Sequence, residues 1–112
     1  MNTDGGSTGR GLVRQGDLLL VPVPALPEQA PQVRSGHLVL LEGEATGHAH
    51  VVEDERASLH GWGSRRYLRI EGELPVVLVH DEHDPLPVFP GVYEVRRQRE
   101  YVPRQRVRWV AD

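Results

Sequence analysis

The chain has 112 residues, of which 38% are hydrophobic and 26% charged, and its formal net charge is −3. This length suits a single domain, because domains typically hold roughly 100–150 residues. The sequence contains no cysteine, which excludes a disulfide scaffold, a thiolate metal site and a cysteine nucleophile. Apolar runs are too short for a membrane helix and the polar N-terminus has no secretory core, so we expect a cytoplasmic protein without a membrane partner.

Turn residues and short apolar runs predict a succession of strands. The glycine-rich residues 1–11 are predicted to form a disordered tail, which leaves residues 12–112 as one domain. The predicted strands, in chain order, are Leu18–Val23, Leu38–Leu41, Gly47–Glu53, Ser58–Trp62, Tyr67–Ile70, Val76–His80, Val92–Arg96 and Val107–Val110. Prolines predict irregular connections over residues 24–32 and 85–90, and residues 98–103 an extended link. Since no window has a helical period, we predict an all-β fold, a small single-domain barrel or sandwich.

Four of the six histidines form two pairs. His48 and His50 lie two residues apart on a predicted strand, so their rings share a face. His80 ends a predicted strand, and His83 follows it across a predicted turn. Two such pairs aimed at one point would supply three or four nitrogen ligands for a divalent transition metal, Zn, Ni, Fe or Cu. The same four residues could instead form a hydrogen-bonded structural cluster or a pH-sensitive contact.

Other polar residues are candidates for chemistry beside the histidines. Glu82 and Glu53 are candidate proton acceptors, and Tyr101 is a candidate hydrogen-bond donor. Gln98 and Arg99 are candidate substrate-binding residues, since an arginine fork holds an anionic group well. Three histidines with an open metal position would activate water or dioxygen for a small-molecule substrate, whereas four would favour a structural or metal-carrying role. The sequence leaves open whether the protein is an enzyme.

The segment 43–50 resembles the first metal motif of the cupin family, in which a glycine precedes a His-x-His pair on a strand. In that family a nearby glutamate and a later histidine complete the metal site. The resemblance therefore implies a cupin-like barrel and a set of ligands: His48 and His50 from the first motif, Glu53 or Glu55 as the acidic ligand, and His80 or His83 as the distal one.

The chain is also similar to a group of small bacterial and phage-borne β-proteins with no assigned function. The shared features are Arg14-Gln15-Gly16-Asp17, the run from Glu42 to His50, His80-Asp81-Glu82-His83, the segment from Pro90 to Val95 and the segment from Gln98 to Tyr101. This resemblance covers most of residues 13–112 but implies no reaction. From the residues alone, the first of these features is predicted to be a turn whose glycine adopts an unusual backbone angle.

An alternative function rests on the basic C-terminal part of the chain. Its arginines are Arg96, Arg97, Arg99, Arg104, Arg106 and Arg108. Such an edge could bind nucleic acid or a partner protein, with the histidine cluster structural or pH-sensing, although a solvated basic face is the commoner explanation. The net charge gives no global field of the kind that marks nucleic-acid binders. An exposed edge strand would also favour a homo-oligomer.

Overall fold

The computed structural model describes residues 11–42 and 48–98. Within these ranges the chain forms eight β-strands: β1 Val13–Gln15, β2 Leu18–Val23, β3 Gln32–Glu42, β4 Ala49–Trp62, β5 Arg65–Ile70, β6 Val76–His80, β7 His83–Val88 and β8 Gly91–Arg97. No helix in the described part of the chain is long and apolar enough to span a membrane. The prediction of a small all-β fold is confirmed.

The strands form one antiparallel sheet in the order β1-β2-β8-β5-β4-β6-β7, with β3 paired to β4 outside this path. Strand β4 joins two halves of the sheet, because its first residues pair with β6 and its last residues pair with β5. Gln15 links the two ends of the path: its side-chain amide nitrogen donates to the carbonyls of Leu78 in β6, at 3.1 Å, and Asp84 in β7, at 2.9 Å. The sheet therefore curls into a nearly closed barrel.

Leucine and valine side chains fill the barrel, as alternation along the strands requires. The residues of this core with no more than 2% exposure are Leu18, Leu20, Leu38, Leu40, Val52, Ala57, Leu68, Ile70, Val76, Leu78, Val88 and Tyr93. Each buried leucine contributes about 2 kcal/mol of hydrophobic free energy. The core therefore provides a rigid frame for polar side chains at the barrel rim.

Several predicted boundaries differ from the structure. The strands predicted at 47–53 and 58–62 are parts of the single strand β4, and β3 is longer than the predicted Leu38–Leu41. The prediction of an irregular connection through Pro85 and Pro87 is wrong, because both prolines lie in β7. That strand ends the hydrogen-bonded path, so it needs amide donors on one side only and tolerates proline.

Some predictions concern residues outside the described ranges. They are the tail over residues 1–10, the start of the run 43–50, the final strand Val107–Val110 and nearly all of the link over residues 98–103. These remain predictions.

Candidate metal centre

The four paired histidines come together at one place on the barrel. His50 lies in β4, His48 immediately precedes that strand, and His80 and His83 flank the turn between β6 and β7. The ring centroids of His50 and His80 are 4.3 Å apart, and those of His80 and His83 are 4.7 Å apart. The His50–His83 and His48–His80 separations are both 6.0 Å. The centroid of each of the four rings therefore lies within 6.0 Å of the centroid of at least one other ring in the cluster.

His50 is held by Gln15 in a defined tautomer. The His50 ring is buried, with 3% of the residue exposed, and its Nδ1 lies 2.7 Å from Gln15 Oε1. Because the Gln15 amide nitrogen already donates to two backbone carbonyls, its oxygen faces His50 as an acceptor. His50 Nδ1 therefore carries the proton, and the lone pair is on Nε2.

Burial, together with the charges of the neighbouring His80 and His83, lowers the pKa of His50 to about 4. A charged ring is disfavoured here because it would lose its hydration and meet like charges. His50 is therefore neutral at neutral pH, which is the form of histidine that binds metal ions.

His48 lies between two carboxylates of the β6–β7 turn. Its Nδ1 is 3.0 Å from both carboxylate oxygens of Asp81, and its Nε2 is 3.5 Å from Glu82 Oε2. The hydrogen bond and the charge of Asp81 raise the pKa of His48, with a further contribution from Glu82. The same hydrogen bond holds the pKa of Asp81 below its usual value. His48 in this arrangement favours the imidazolium form and secures the turn.

His80 has an inward-facing ring with only 5% of its side chain exposed. Its Nδ1 accepts a hydrogen bond from the backbone N–H of Glu82 at 3.0 Å. Because that bond occupies the Nδ1 lone pair, the ring proton is on Nε2. Since Nδ1 carries no proton, it donates no hydrogen bond to the Asp81 oxygen that lies 3.4 Å away.

His83 packs against the backbone of Gly16. This glycine has a φ of 57°, and a Cβ built on it would lie 2.6 Å from His83 Nε2. Both the left-handed backbone and the close approach of the ring therefore require glycine. The Nδ1 of His83 is on the edge of the ring that faces away from Gly16.

The sequence motif Arg14-Gln15-Gly16-Asp17 was predicted only as a turn. The turn and its positive φ are confirmed. Sequence reasoning missed that Gln15 and Gly16 support the histidines, since a contact between residues so far apart along the chain leaves no periodic signal. The signal present in the sequence was the glutamine that directly precedes the glycine of this motif.

The remaining site candidates are distributed differently. Glu82 lies near His48, with Oε2 3.5 Å from Nε2, and its role as a proton acceptor stays a prediction. Glu53 instead contacts His37, with Oε2 2.7 Å from Nδ1, on an exposed part of β4. Gln98 directly follows β8, and its backbone N–H donates to Asp17 O at 2.6 Å. Other candidates lie outside the described residues: Arg99, Tyr101, Arg104, Arg106 and Arg108.

The spacing of the rings is close to that of a metal centre, but the side chains of the described residues are not arranged to hold an ion. Three imidazoles bound to one ion at 2.0–2.1 Å would have ring centroids about 5 Å apart, compared with 4.3, 4.7 and 6.0 Å for His50, His80 and His83. Over residues 11–42 and 48–98, no group of three or more histidine, aspartate or glutamate side chains is arranged to hold a metal ion.

The fold and the cluster define a small β-barrel with a histidine-rich polar site at its rim. Residues 14–98 match the family model described as a domain of unknown function (DUF8820), and the chain belongs to that family. The matched segment contains all four clustered histidines together with Gln15 and Gly16. Comparisons with curated proteins and with solved structures gave no match.

Proposed function

We propose that the protein binds a divalent transition metal ion, Zn, Ni, Fe or Cu, through His50, His80 and His83, with His48, once it has lost its proton, as the fourth candidate ligand. The observation that carries this proposal is the spacing of the first three rings, 4.3 to 6.0 Å between centroids. That range brackets the roughly 5 Å expected around a shared ion. Nitrogen-rich sites favour these metals over Mg or Ca.

The hydrogen bond from His50 to Gln15 supports the proposal. Histidine ligands usually donate their second ring N–H to a carboxylate or carbonyl oxygen, which fixes the ring orientation and strengthens the ligand. Gln15 supplies such an oxygen to His50 Nδ1 at 2.7 Å. The neutral, buried His50 therefore presents Nε2 as a donor without any change of protonation.

His80 must change its hydrogen bonding when the ion binds. Its Nε2 becomes a metal donor only if the proton moves to Nδ1, which in turn requires the Glu82 N–H to release that nitrogen. Asp81 Oδ1 lies 3.4 Å from the same nitrogen. It would accept a hydrogen bond from the Nδ1–H group that forms when the proton moves. Metal binding therefore couples to a small adjustment of the Asp81–Glu82 turn.

Such a centre would support either a carrier or an enzyme. An ion with three histidine ligands and an open position lowers the pKa of a bound water or binds dioxygen, which is the chemistry of metal-dependent hydrolases and oxygenases. Glu82, near His48 at the rim of the cluster, is the proton acceptor in this proposal. The cupin-like resemblance of the His48 and His50 segment supports the same ligand type, and a small molecule is the proposed substrate.

The test is metal binding by untagged protein, measured by elemental analysis and by competition with a chromogenic chelator. We expect near-stoichiometric metal in the wild type. His83→Ala should weaken binding by more than about 100-fold, since loss even of a residue that supports a ligand costs roughly 10–100-fold. His83 is exposed, so this variant should still fold.

His37→Ala is the matched control, because His37 is an exposed histidine engaged with Glu53 outside the cluster. Its metal affinity should equal that of the wild type. Wild-type protein that binds none of the four metals, or equal losses in His83→Ala and His37→Ala, would contradict the proposal.

A further inference from the structure

Arg97, at the end of β8, has a buried guanidinium nitrogen without a hydrogen-bond acceptor. Its Nη2 donates to the backbone carbonyl of Glu42 at 3.3 Å. Its Nη1 is buried and makes no hydrogen bond within the described part of the chain. Asp17 Oδ2 lies 3.8 Å from Nη1, which gives an ion pair but is too long for a hydrogen bond. A buried donor without an acceptor is unfavourable and calls for a functional explanation.

The Arg97 guanidinium contacts two segments that lie next to the histidine cluster. Glu42, which accepts from Nη2, is directly opposite Ala49 in the pairing of β3 with β4, and Ala49 separates His48 from His50. On the other side, Asp17 belongs to the turn whose Gly16 supports His83.

We infer that the ligand of the histidine site carries an oxyanion, a carboxylate or a phosphate, and that one of its oxygens accepts the hydrogen bond of Arg97 Nη1. The inference rests on the proposed metal function and names the class of its substrate. A permanently charged, planar donor pairs best with an anionic oxygen, and such charge-assisted bonds are roughly twice as strong as neutral ones. The metal ion and Arg97 would then hold the ligand at two points.

Asp17 does not take the place of this ligand. Its side chain is 58% exposed and stops short of hydrogen-bond distance from Arg97 Nη1. Its charge balances Arg97 in the free protein. An incoming oxyanion would accept the hydrogen bond of Nη1 directly. The Asp17 carboxylate, which is already exposed, would remain hydrated by solvent.

Arg69 offers a matched control. Its Nε is likewise buried without a hydrogen-bond acceptor, and its Nη2 pairs with Glu71 at 2.8 Å. Strand pairing places Arg69 between Ser58 and Val92, in the half of the sheet that does not contain the four clustered histidines. Arg69→Gln therefore removes an equivalent guanidinium from a different part of the barrel.

The experiment uses Co²⁺-loaded full-length protein, whose visible absorption reports changes at the metal. Inorganic phosphate is titrated in one arm and acetate in the other, which distinguishes the two sources of oxyanion. We expect at least one of them to change the spectra of the wild type and of Arg69→Gln at the same concentration. Arg97→Gln should need about tenfold more anion, as loss of one charge-assisted hydrogen bond implies.

Arg97→Lys retains the charge without the planar fork and should lie between the two. Its melting temperature, with that of Arg97→Gln, verifies that both variants fold. An unchanged response in Arg97→Gln, an equal loss in Arg69→Gln, or Co²⁺ binding with no response to either anion would overturn the inference while the metal site stands. If neither Co²⁺ nor any of Zn, Ni, Fe and Cu binds, the proposed function fails. The anions are then titrated into the metal-free chain, where an unmoved NMR signal of the Arg97 guanidinium would overturn this inference separately.

Discussion

Replacing Gln15 by methionine should both destabilise the barrel and change the tautomer of His50. The side chain keeps its length but loses three hydrogen bonds, to Leu78 O, Asp84 O and His50 Nδ1, at 3.1, 2.9 and 2.7 Å. At about 1 kcal/mol for each net bond, the free energy of unfolding falls by about 3 kcal/mol. For a domain of this size that corresponds to a melting temperature lower by roughly 12–24 °C.

Thermal unfolding measures the first effect, and ¹⁵N chemical shifts of the His50 ring measure the second. Without an acceptor at Nδ1, the two neutral tautomers of His50 should become mixed, and metal affinity should fall by roughly 10–100-fold. Gln32→Met is the control, because Gln32 is exposed on β3, and it should melt like the wild type. A Gln15→Met protein with an unchanged melting temperature and an unchanged His50 tautomer would refute this account of the site.

Two further predictions concern the same cluster. Gly16→Ala and Gly63→Ala should each destabilise the fold by about 1 kcal/mol, since both glycines have positive φ. Only Gly16→Ala should also weaken metal binding, because its Cβ would meet His83 whereas nothing lies within 4 Å of a Cβ at Gly63; equal metal affinities would count against the packing argument. In metal-free protein, the lowered pKa of His50, about 4 against 6.5, means that the unfolded chain takes up a proton first as pH falls. About 3 kcal/mol of stability should therefore be lost between pH 6.5 and 4. Urea unfolding should show a flatter pH dependence in His50→Asn, and an identical dependence would disprove this assignment.

The shifted pKa values of His48 and Asp81 modify that pH profile in opposite directions. The raised pKa of His48 adds stability that is present below its ordinary value of 6.5 and is lost as pH rises through the folded value. The lowered pKa of Asp81 adds stability that is present above its ordinary value of 3.8 and is lost as pH falls through the folded value. The comparison of wild type with His50→Asn isolates the His50 contribution from both.

Local pattern was sufficient for much of the fold. The bounds predicted for Leu18–Val23 and Val76–His80 agree with the structure, because continuous or alternating apolar residues between turn formers leave few other conformations. The pairing of His48 with His50, and of His80 with His83, was also evident from spacing alone. These features depend on neighbours along the chain, which the sequence displays directly.

Only the tertiary structure decided how the barrel closes and what supports the cluster. Gln15 joins β1 to β6 and β7 through partners 63 and 69 residues away, and no periodicity encodes such a contact. The prolines of β7 are compatible with a strand only because that strand ends the sheet path. The unpaired Nη1 of Arg97 and the tautomers of His50 and His80 are likewise set by atoms brought together over long sequence distances. Residue types and spacing thus determined which groups this protein has for chemistry, whereas the long-range hydrogen bonds of the closed sheet determined their directions and protonation.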